Sequence, residues 1–404
     1  MPQNILYLPS HRIRSLNNGF HAAFGAHPER YFSAPGRTEL SGNHTDHQQG
    51  RVLAAAVDLD MQAAVRINGT ETIRVLSQGY PLYTVSLEEL TPIAAEINTT
   101  PGLIRGIAAR LAQLGCPVAG FDAYIESTVL PGSGLSSSAA FEVLLGTIMN
   151  HLFCDARLSQ REIAMAGQYA ENVFFGKPCG LMDQMASAVG GMVAIDFAQK
   201  DAPVITPVDF DFAACGHALC IIDSRASHAE LTEEYAGIPR EMQAIAGYFG
   251  KQVLREVEEC DFYTALPKLR KLYGDRAVLR AIHFYQENAR VPRQAAALQT
   301  GNFDTFLALE TESGHSSFMY LQNVTPTGAV QHQDMAICLA LCQKLLSGRG
   351  AYRVHGGGFA GTVQAFVPLD LLEAFREGID HVLGQGACHV LSIRSQGGVE
   401  AFPE

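Results

Sequence analysis

Apolar and polar positions along the chain sort into alternating runs and helix-periodic runs, parted by glycine- and proline-bearing turns. Residues 31–34 read as a short strand broken by Pro35-Gly36, and 52–65 is apolar and β-prone. Alternation at Ile73/Val75 and Tyr83/Val85 predicts meander strands between 66 and 99. A helix over 101–114 follows, with Pro-Gly at its start and Gly115 as its stop. Residues 121–127 alternate as a strand that runs into a glycine/serine stretch. From Ser136 to about residue 153 apolar residues occupy nearly every position, so that helix is expected to be buried. A helix over 159–175 opens with Ser159 and Glu162 at capping-box spacing.

The second half changes character. Residues 192–210 read as strands interrupted at Pro203 and Pro207, and we place a domain boundary there, with one domain over 1–205 and another over 206–404. A strand at 218–223 precedes a mostly helical stretch, 238–312, whose charge runs read as solvated faces. A helix at 328–347, strands at 352–354 and 362–367, a helix to about 383 and a strand at 389–393 follow. Strand, tight turn, strand, helix, strand is the order of a split βαβ, ferredoxin-like layer, so the fold class is α+β.

Bulk properties narrow the function. At 404 residues the chain exceeds what one core usually supports. Its 47% hydrophobic and 17% charged residues are those of a globular protein. No apolar run is long enough for a bilayer and the start lacks a signal-peptide core, so a cytoplasmic location is expected. The nine cysteines are scattered without zinc-type spacing, which predicts reduced thiols, and Cys338 and Cys342 read as core. A net charge of −12 argues against a nucleic-acid partner, so any phosphate contact must be local.

Three stretches carry candidate chemistry. Pro131, Gly132, Ser133, Gly134, Leu135, Ser136, Ser137 and Ser138 lead into the buried helix, giving either an anion cradle or a capped turn. The stretch lacks the Gly-Lys-Ser/Thr of a Walker loop, the third glycine of the dinucleotide fingerprint and the spacing of a hydrolase elbow. Arg37, Glu39, Asn43, His44, Asp46 and His47 fall within eleven residues on a predicted loop between strands. Asp183 is an isolated carboxylate in an apolar, glycine-flanked segment; it must find a cation or cap a helix. The run Gly356-Gly357-Gly358 exceeds the needs of a hairpin, and close packing against a ligand or loop would account for the surplus.

Taken together, these motifs resemble the GHMP sugar and metabolite kinases, most closely the galactokinase branch. The resemblance rests on Ala34-Pro35-Gly36-Arg37 with Gly42-Asn43-His44-Thr45-Asp46, on residues 131–140, on Gly356-Gly357-Gly358-Phe359-Ala360-Gly361, and on Pro178-Cys179-Gly180-Leu181-Met182-Asp183-Gln184. Glu312-Ser313-Gly314-His315-Ser316-Ser317 adds a weaker likeness. Membership implies a two-domain fold, S5-domain-2-like then ferredoxin-like, and ATP-dependent phosphorylation of a hexose at its anomeric hydroxyl. It further implies Asp183 as the carboxylate that accepts the hydroxyl proton, with Arg37 beside it. Residues 131–138 would wrap the ATP phosphates, and Ser138 and Glu171 would hold Mg²⁺. Asn43, His44, Asp46, Gly180 and Tyr235 would contact the sugar. The implied partner is a small-molecule sugar, with no nucleic acid and no membrane.

One departure bears on the sugar. Galactokinases usually show Gly-Arg-Val-Asn-Leu-Ile-Gly-Glu-His-Thr-Asp-Tyr-Asn, whose glutamate accepts from the C6 hydroxyl; this chain has Asn43 there. An amide can both donate and accept, which opens galacturonate or another C6-modified hexose as the alternative to galactose. His47-Gln48 also resembles the galacturonate-kinase branch, and Arg51 or His47 could pair with a uronate. A non-catalytic sugar and ATP sensor is the third reading; it expects damage to the phosphate loop or to Arg37 and Asp183, and these are intact.

Overall fold

The computed structural model describes residues 5–129, 134–177, 179–199, 202–226 and 231–404, and its alternating runs build two sheets. In chain order the first part holds β1 (Leu6–Leu8), α1 (Ser10–Phe24), β2 (Arg30–Ser41), β3 (Arg51–Ile67), β4 (Thr72–Ser77), β5 (Leu82–Ser86), α2 (Thr100–Gln113), β6 (Phe121–Ser127), α3 (Ser137–Phe153), α4 (Gln160–Tyr169), α5 (Met182–Val189), β7 (Met192–Asp196) and β8 (Val204–Pro207). The second part holds β9 (His217–Asp223), α6 (Thr232–Tyr248), α7 (Glu259–Tyr273), α8 (Asp275–Gln299), α9 (Phe303–Ser316), α10 (Asp334–Leu346), β10 (Ala351–His355), β11 (Thr362–Pro368), α11 (Leu372–Leu383), β12 (Cys388–Leu391) and β13 (Val399–Pro403).

The first sheet runs β1-β13-β2-β3-β6-β4-β5, with β7 and β8 added alongside β3. Helices α2 to α5 cover one face of it. Their apolar residues, Ile104, Ile107, Leu144, Ile148 and Met185 among them, pack on Val52, Val65 and Ile125. Local chemistry sets where these helices start. The Thr99 side chain accepts from Gly102 N at α2, and Ser159 and Glu162 form the expected capping box at α4. The second sheet is antiparallel in the order β10-β11-β9-β12, the ferredoxin-like order, and is backed by α10 and α11. Cys338 and Cys342 lie in that core. A further cluster, with Leu53, Val57, Ile221, Phe306 and Phe366, packs the two sheets and α8–α9 together.

Four features depart from the sequence reading. Pro35-Gly36 does not end a strand: β2 continues to Ser41 across a register shift between Pro35 and Arg37, as a bulge absorbs a proline that cannot donate. Arg37 and Glu39 therefore stand on a strand, and the connecting loop begins at Gly42. The helix expected over 328–347 starts at Asp334. The thiols are not all reduced, because Cys116 and Cys154 form a disulfide with Cα atoms 5.3 Å apart. The loop after α2 and the residue that follows α3 meet there, a juxtaposition that scattered spacing could not reveal. Finally, the chain's last strand, β13, leaves the second half and returns to pair with β2 and β1.

Candidate active site

The central side chain of the site comes from the bulged strand. Arg37 Nε and Nη2 donate to Asp183 Oδ1 and Oδ2 at 2.7 and 2.6 Å, a bidentate pair, and Nη1 donates to the Gly134 carbonyl. Asp183 sits in the first turn of α5, so the two readings of this carboxylate resolve in favour of the cation. Arg37 is buried at 8% side-chain exposure, whereas Asp183 keeps 31% and faces a cavity. Burial alone would raise the Asp183 carboxyl, but the Arg37 guanidinium and the Ser136 hydroxyl hold it below the usual carboxylate range.

The cavity, about 400 Å³, brings together Arg37, Asp46, Gly134, Ser136, Ser137, Ser138, Glu171, Gly180 and Asp183 from the sequence-predicted set. Leu135 is buried beneath it, while Pro131, Gly132 and Ser133 lie outside the described residues. The N-terminus of α3 presents Ser137 and Ser138 to the cavity, and Ser136 takes a left-handed backbone, φ 55°. Gly134, φ +70°, packs against the second sheet, where a Cβ would stand 2.7 Å from Thr362 Oγ1 and 2.9 Å from His355 Nδ1. Asp46, on the turn Asp46–Gln48, lies against Gly180, where any Cβ would collide with Asp46 Oδ2. Burial and the Asp183 charge push the Asp46 carboxyl up to about 7.

Further wall residues escaped the sequence reading. Lys177 Nζ lies 3.7 Å from Glu171 Oε1, and Gln184 Nε2 donates to Glu171 Oε2 at 3.2 Å and to Glu142 Oε2 at 2.9 Å. Glu142 is fully buried behind them, and its Oε1 has no hydrogen-bond partner among the described residues. Its signal was available: Glu142 follows Ser138 by four residues and so shares its helix face. Burial and the nearby Glu171 hold the Glu142 carboxyl well above its ordinary range.

Asn43, His44 and Tyr235 are not part of the cavity wall. Asn43 is fully buried, and His44 and Tyr235 donate to the third glycine run: His44 Nε2 to the Gly357 carbonyl and the Tyr235 hydroxyl to that of Gly358, both at 3.0 Å. The imidazole protons are fixed by their partners. Gln48 Nε2 donates to His47 Nδ1, so His47 Nε2–H donates to His44 Nδ1, which leaves His44 Nε2–H for the carbonyl. Burial lowers both rings, in keeping with neutral tautomers.

Comparison with known proteins gives the family. A family model, the GHMP kinases N-terminal domain, matches residues 102–191, and the galactokinase galactose-binding signature matches residues 18–67. Over 369 residues the chain is 31% identical to a galactokinase of Streptomyces coelicolor, covering 89% of this chain and 90% of that protein. The chain belongs to the galactokinase family. Among solved structures, Lactococcus lactis galactokinase complexed with galactose superposes with a TM-score of 0.81 at 24% identity, covering 96% of this chain and 99% of that one. Methanococcus jannaschii mevalonate kinase, at TM-score 0.63 and 15% identity over 90% and 98% of the two chains, shares the fold. The signature match spans β2, the Asp46 turn and β3. The N-terminal domain match spans α2 to α5, so Arg37 and Asp183 come from different matched segments and meet in the cavity.

Proposed function

We propose that this member of the galactokinase family transfers the γ-phosphoryl group of ATP to the C1 hydroxyl of galactose. The observation that carries the proposal is the bidentate Arg37–Asp183 pair facing a single cavity that Asp46, Gly180, Ser136 to Ser138 and Glu171 also line. In this reading Asp183 accepts the C1 hydroxyl proton as that oxygen bonds the γ-phosphorus and ADP departs. Arg37 keeps Asp183 ionised and faces the charge on the transferring group. Asp46 accepts from ring hydroxyls, Gly180 gives the sugar room beside it, and residues 131–138 wrap the phosphates.

The cavity wall carries three carboxylates, Asp46, Glu171 and Asp183, against Arg37 and Lys177, so a polyphosphate needs added positive charge there. Few protein oxygens with room for phosphate ligands suit Mg²⁺, and the Ser138 hydroxyl and Glu171 carboxylate would hold it. When bound, Mg²⁺ neutralises the β- and γ-phosphates. Among the described residues no helix is long and apolar enough to cross a membrane, and the ATP requirement supports a cytoplasmic location. We also divide the chain into an N-terminal unit over 1–205 and a C-terminal unit over 206–404, with β13 as a strand lent back to the first.

The C6-modified alternative rested on Asn43, and a fully buried amide with its side chain engaged elsewhere does not favour it. ADP release measured with galactose, galacturonate and N-acetylgalactosamine tests the proposal. Galactose is expected to be turned over fastest. Absence of turnover on every sugar, with ATP binding retained, would leave the sensor reading.

A further inference from the structure

The glycine run that exceeded the needs of a hairpin has a partner at each carbonyl. Asn43 Nδ2 donates to Gly356 O at 2.6 Å, His44 Nε2 to Gly357 O at 3.0 Å, and the Tyr235 hydroxyl to Gly358 O at 3.0 Å. Asn323 Nδ2 adds a second donor to Gly357 O, at 3.2 Å. Such a run can present successive carbonyls to these donors only with unusual backbone angles. Gly356 and Gly358 have φ of +69° and +78°, and a Cβ on Gly357 would stand 2.7 Å from the Tyr235 ring.

Asn43 lies at the centre of this arrangement and is 0% exposed. Its Nδ2 also donates to Glu39 Oε1 at 3.0 Å, its Oδ1 accepts from Asn323 Nδ2 at 2.9 Å, and its carbonyl accepts from His283 Nε2 at 2.9 Å. Both ends of the amide are therefore engaged by protein, and reaching a ligand would break bonds to the buried Glu39 carboxylate and the half-buried Gly356 carbonyl. Glu39 is in turn fixed by Arg353 Nη2 at 2.8 Å. Asp46 stands three residues further along the same connecting loop, at the cavity wall.

We propose that Asn43, His44 and Asn323 are positioning residues that latch the glycine run 356–358 onto the loop after β2, holding Asp46 at the cavity, and that Asn43 does not discriminate at C6 of the sugar. The latch joins the hairpin between β10 and β11 to the first sheet, so its loss loosens two segments at once. Sugar affinity falls because Asp46 is less well placed, and it falls alike whether or not the sugar carries a C6 hydroxyl.

The full-length Asn43→Ser protein tests this with two readouts. In sugar-free protein, amide hydrogen exchange over 356–361 and 42–50 is expected to quicken by about tenfold, the scale of one lost buried hydrogen bond. KM for galactose should rise by about five- to tenfold with kcat and the KM for ATP little changed, while the kcat/KM ratio of galactose to 6-deoxygalactose stays within about threefold of wild type. Unchanged exchange, or a ratio shifted beyond that bound, overturns the proposal. Should Asn43→Ser fail to fold, His44→Gln and His44→Ala decide. The glutamine amide can replace the imidazole donor on Gly357 O and should keep exchange slow, and alanine should not; equal behaviour of the two overturns it. The kinetic half rests on the galactose reading. The exchange half does not, so a wild-type protein that turns over no sugar would defeat that reading alone.

Discussion

Two carboxylates in one cavity are driven in opposite directions, and the difference assigns their roles. Asp183, beside Arg37 and Ser136, stays ionised; Asp46, where burial and the Asp183 charge outweigh the His47 N–H and the more distant Arg37 charge, is pushed up to about 7. Asp183→Asn should fold, because an amide still accepts from Arg37, yet lose phosphoryl transfer by at least about a hundredfold, the usual scale for a proton-accepting group. Retention of most activity, with circular dichroism unchanged, would remove Asp183 from that role. For Asp46 the folded-state value lies above the unfolded one, so its contribution to stability is present below about pH 4 and lost as pH rises through about 7. Urea unfolding at pH 5 and pH 8 should therefore show Asp46→Asn gaining on wild type as pH rises, by about 1–4 kcal/mol, with cavity water trimming the upper figure. Conversely, KM for galactose in the wild type should fall across the same window as the carboxylate forms.

At the scale of elements, the site depends on two segments meeting without side chains between them. The turn Asp46–Gln48 and the segment before α5 approach so closely at Gly180 that a methyl group would occupy the place of Asp46 Oδ2. Gly180→Ala should displace Asp46, raise KM for galactose by about tenfold or more and leave the KM for ATP near wild type, since the added methyl meets Asp46 and none of Ser136 to Ser138. A variant with both constants unchanged would show that the contact yields. Gly180 was legible in the sequence only by resemblance to a family motif, because no local pattern reveals that a glycine faces a residue more than a hundred positions upstream. Local chemistry was far more readable: the Ser159/Glu162 capping box, the buried α3 and the succession of strands and helix from β10 to β12 all follow from patterns local in the sequence. The latch of Asn43 was not readable, since its partners at Gly356 and Asn323 meet it only when the second half of the chain has packed on the first.

For the whole molecule, the decisive feature is a buried ionic network that ties the two sheets together, and nothing in the spacing of its members announces it. Arg353 on β10 donates to the side chain and the carbonyl of Glu39 on β2, and its Nε lies 3.1 Å from Glu310 Oε2 on α9 without the angle of a hydrogen bond. Gln294 on α8 donates to Glu310 Oε1 at 2.7 Å, while Glu287 pairs with Arg290 and accepts from Ser313 and Gly42 N. Three carboxylates face two guanidiniums, and the structure resolves the excess unequally. Glu287 is held down at about 2, where burial is outweighed by Arg290, His283 and Arg353. Burial raises Glu310 to about 8, so its carboxyl is largely protonated at neutral pH. Removing the shared cation should be costly: Arg353→Met strands Glu39 and is expected to lose about 3–5 kcal/mol. Glu310→Gln should be far milder at pH 7, within about 1 kcal/mol, because glutamine replaces a neutral acid and keeps the acceptor for Gln294. The sign of the pH dependence separates the two cases. Glu310 is raised in the folded state, so its contribution is present below its unfolded value near pH 4 and lost as pH rises through about 8. Urea midpoints taken at pH 7 and pH 9 should fall further for the wild type than for Glu310→Gln, which keeps only the smaller loss from Asp46. Parallel decline in both would mean that Glu310 is already ionised at pH 7 and that Arg353 serves all three carboxylates.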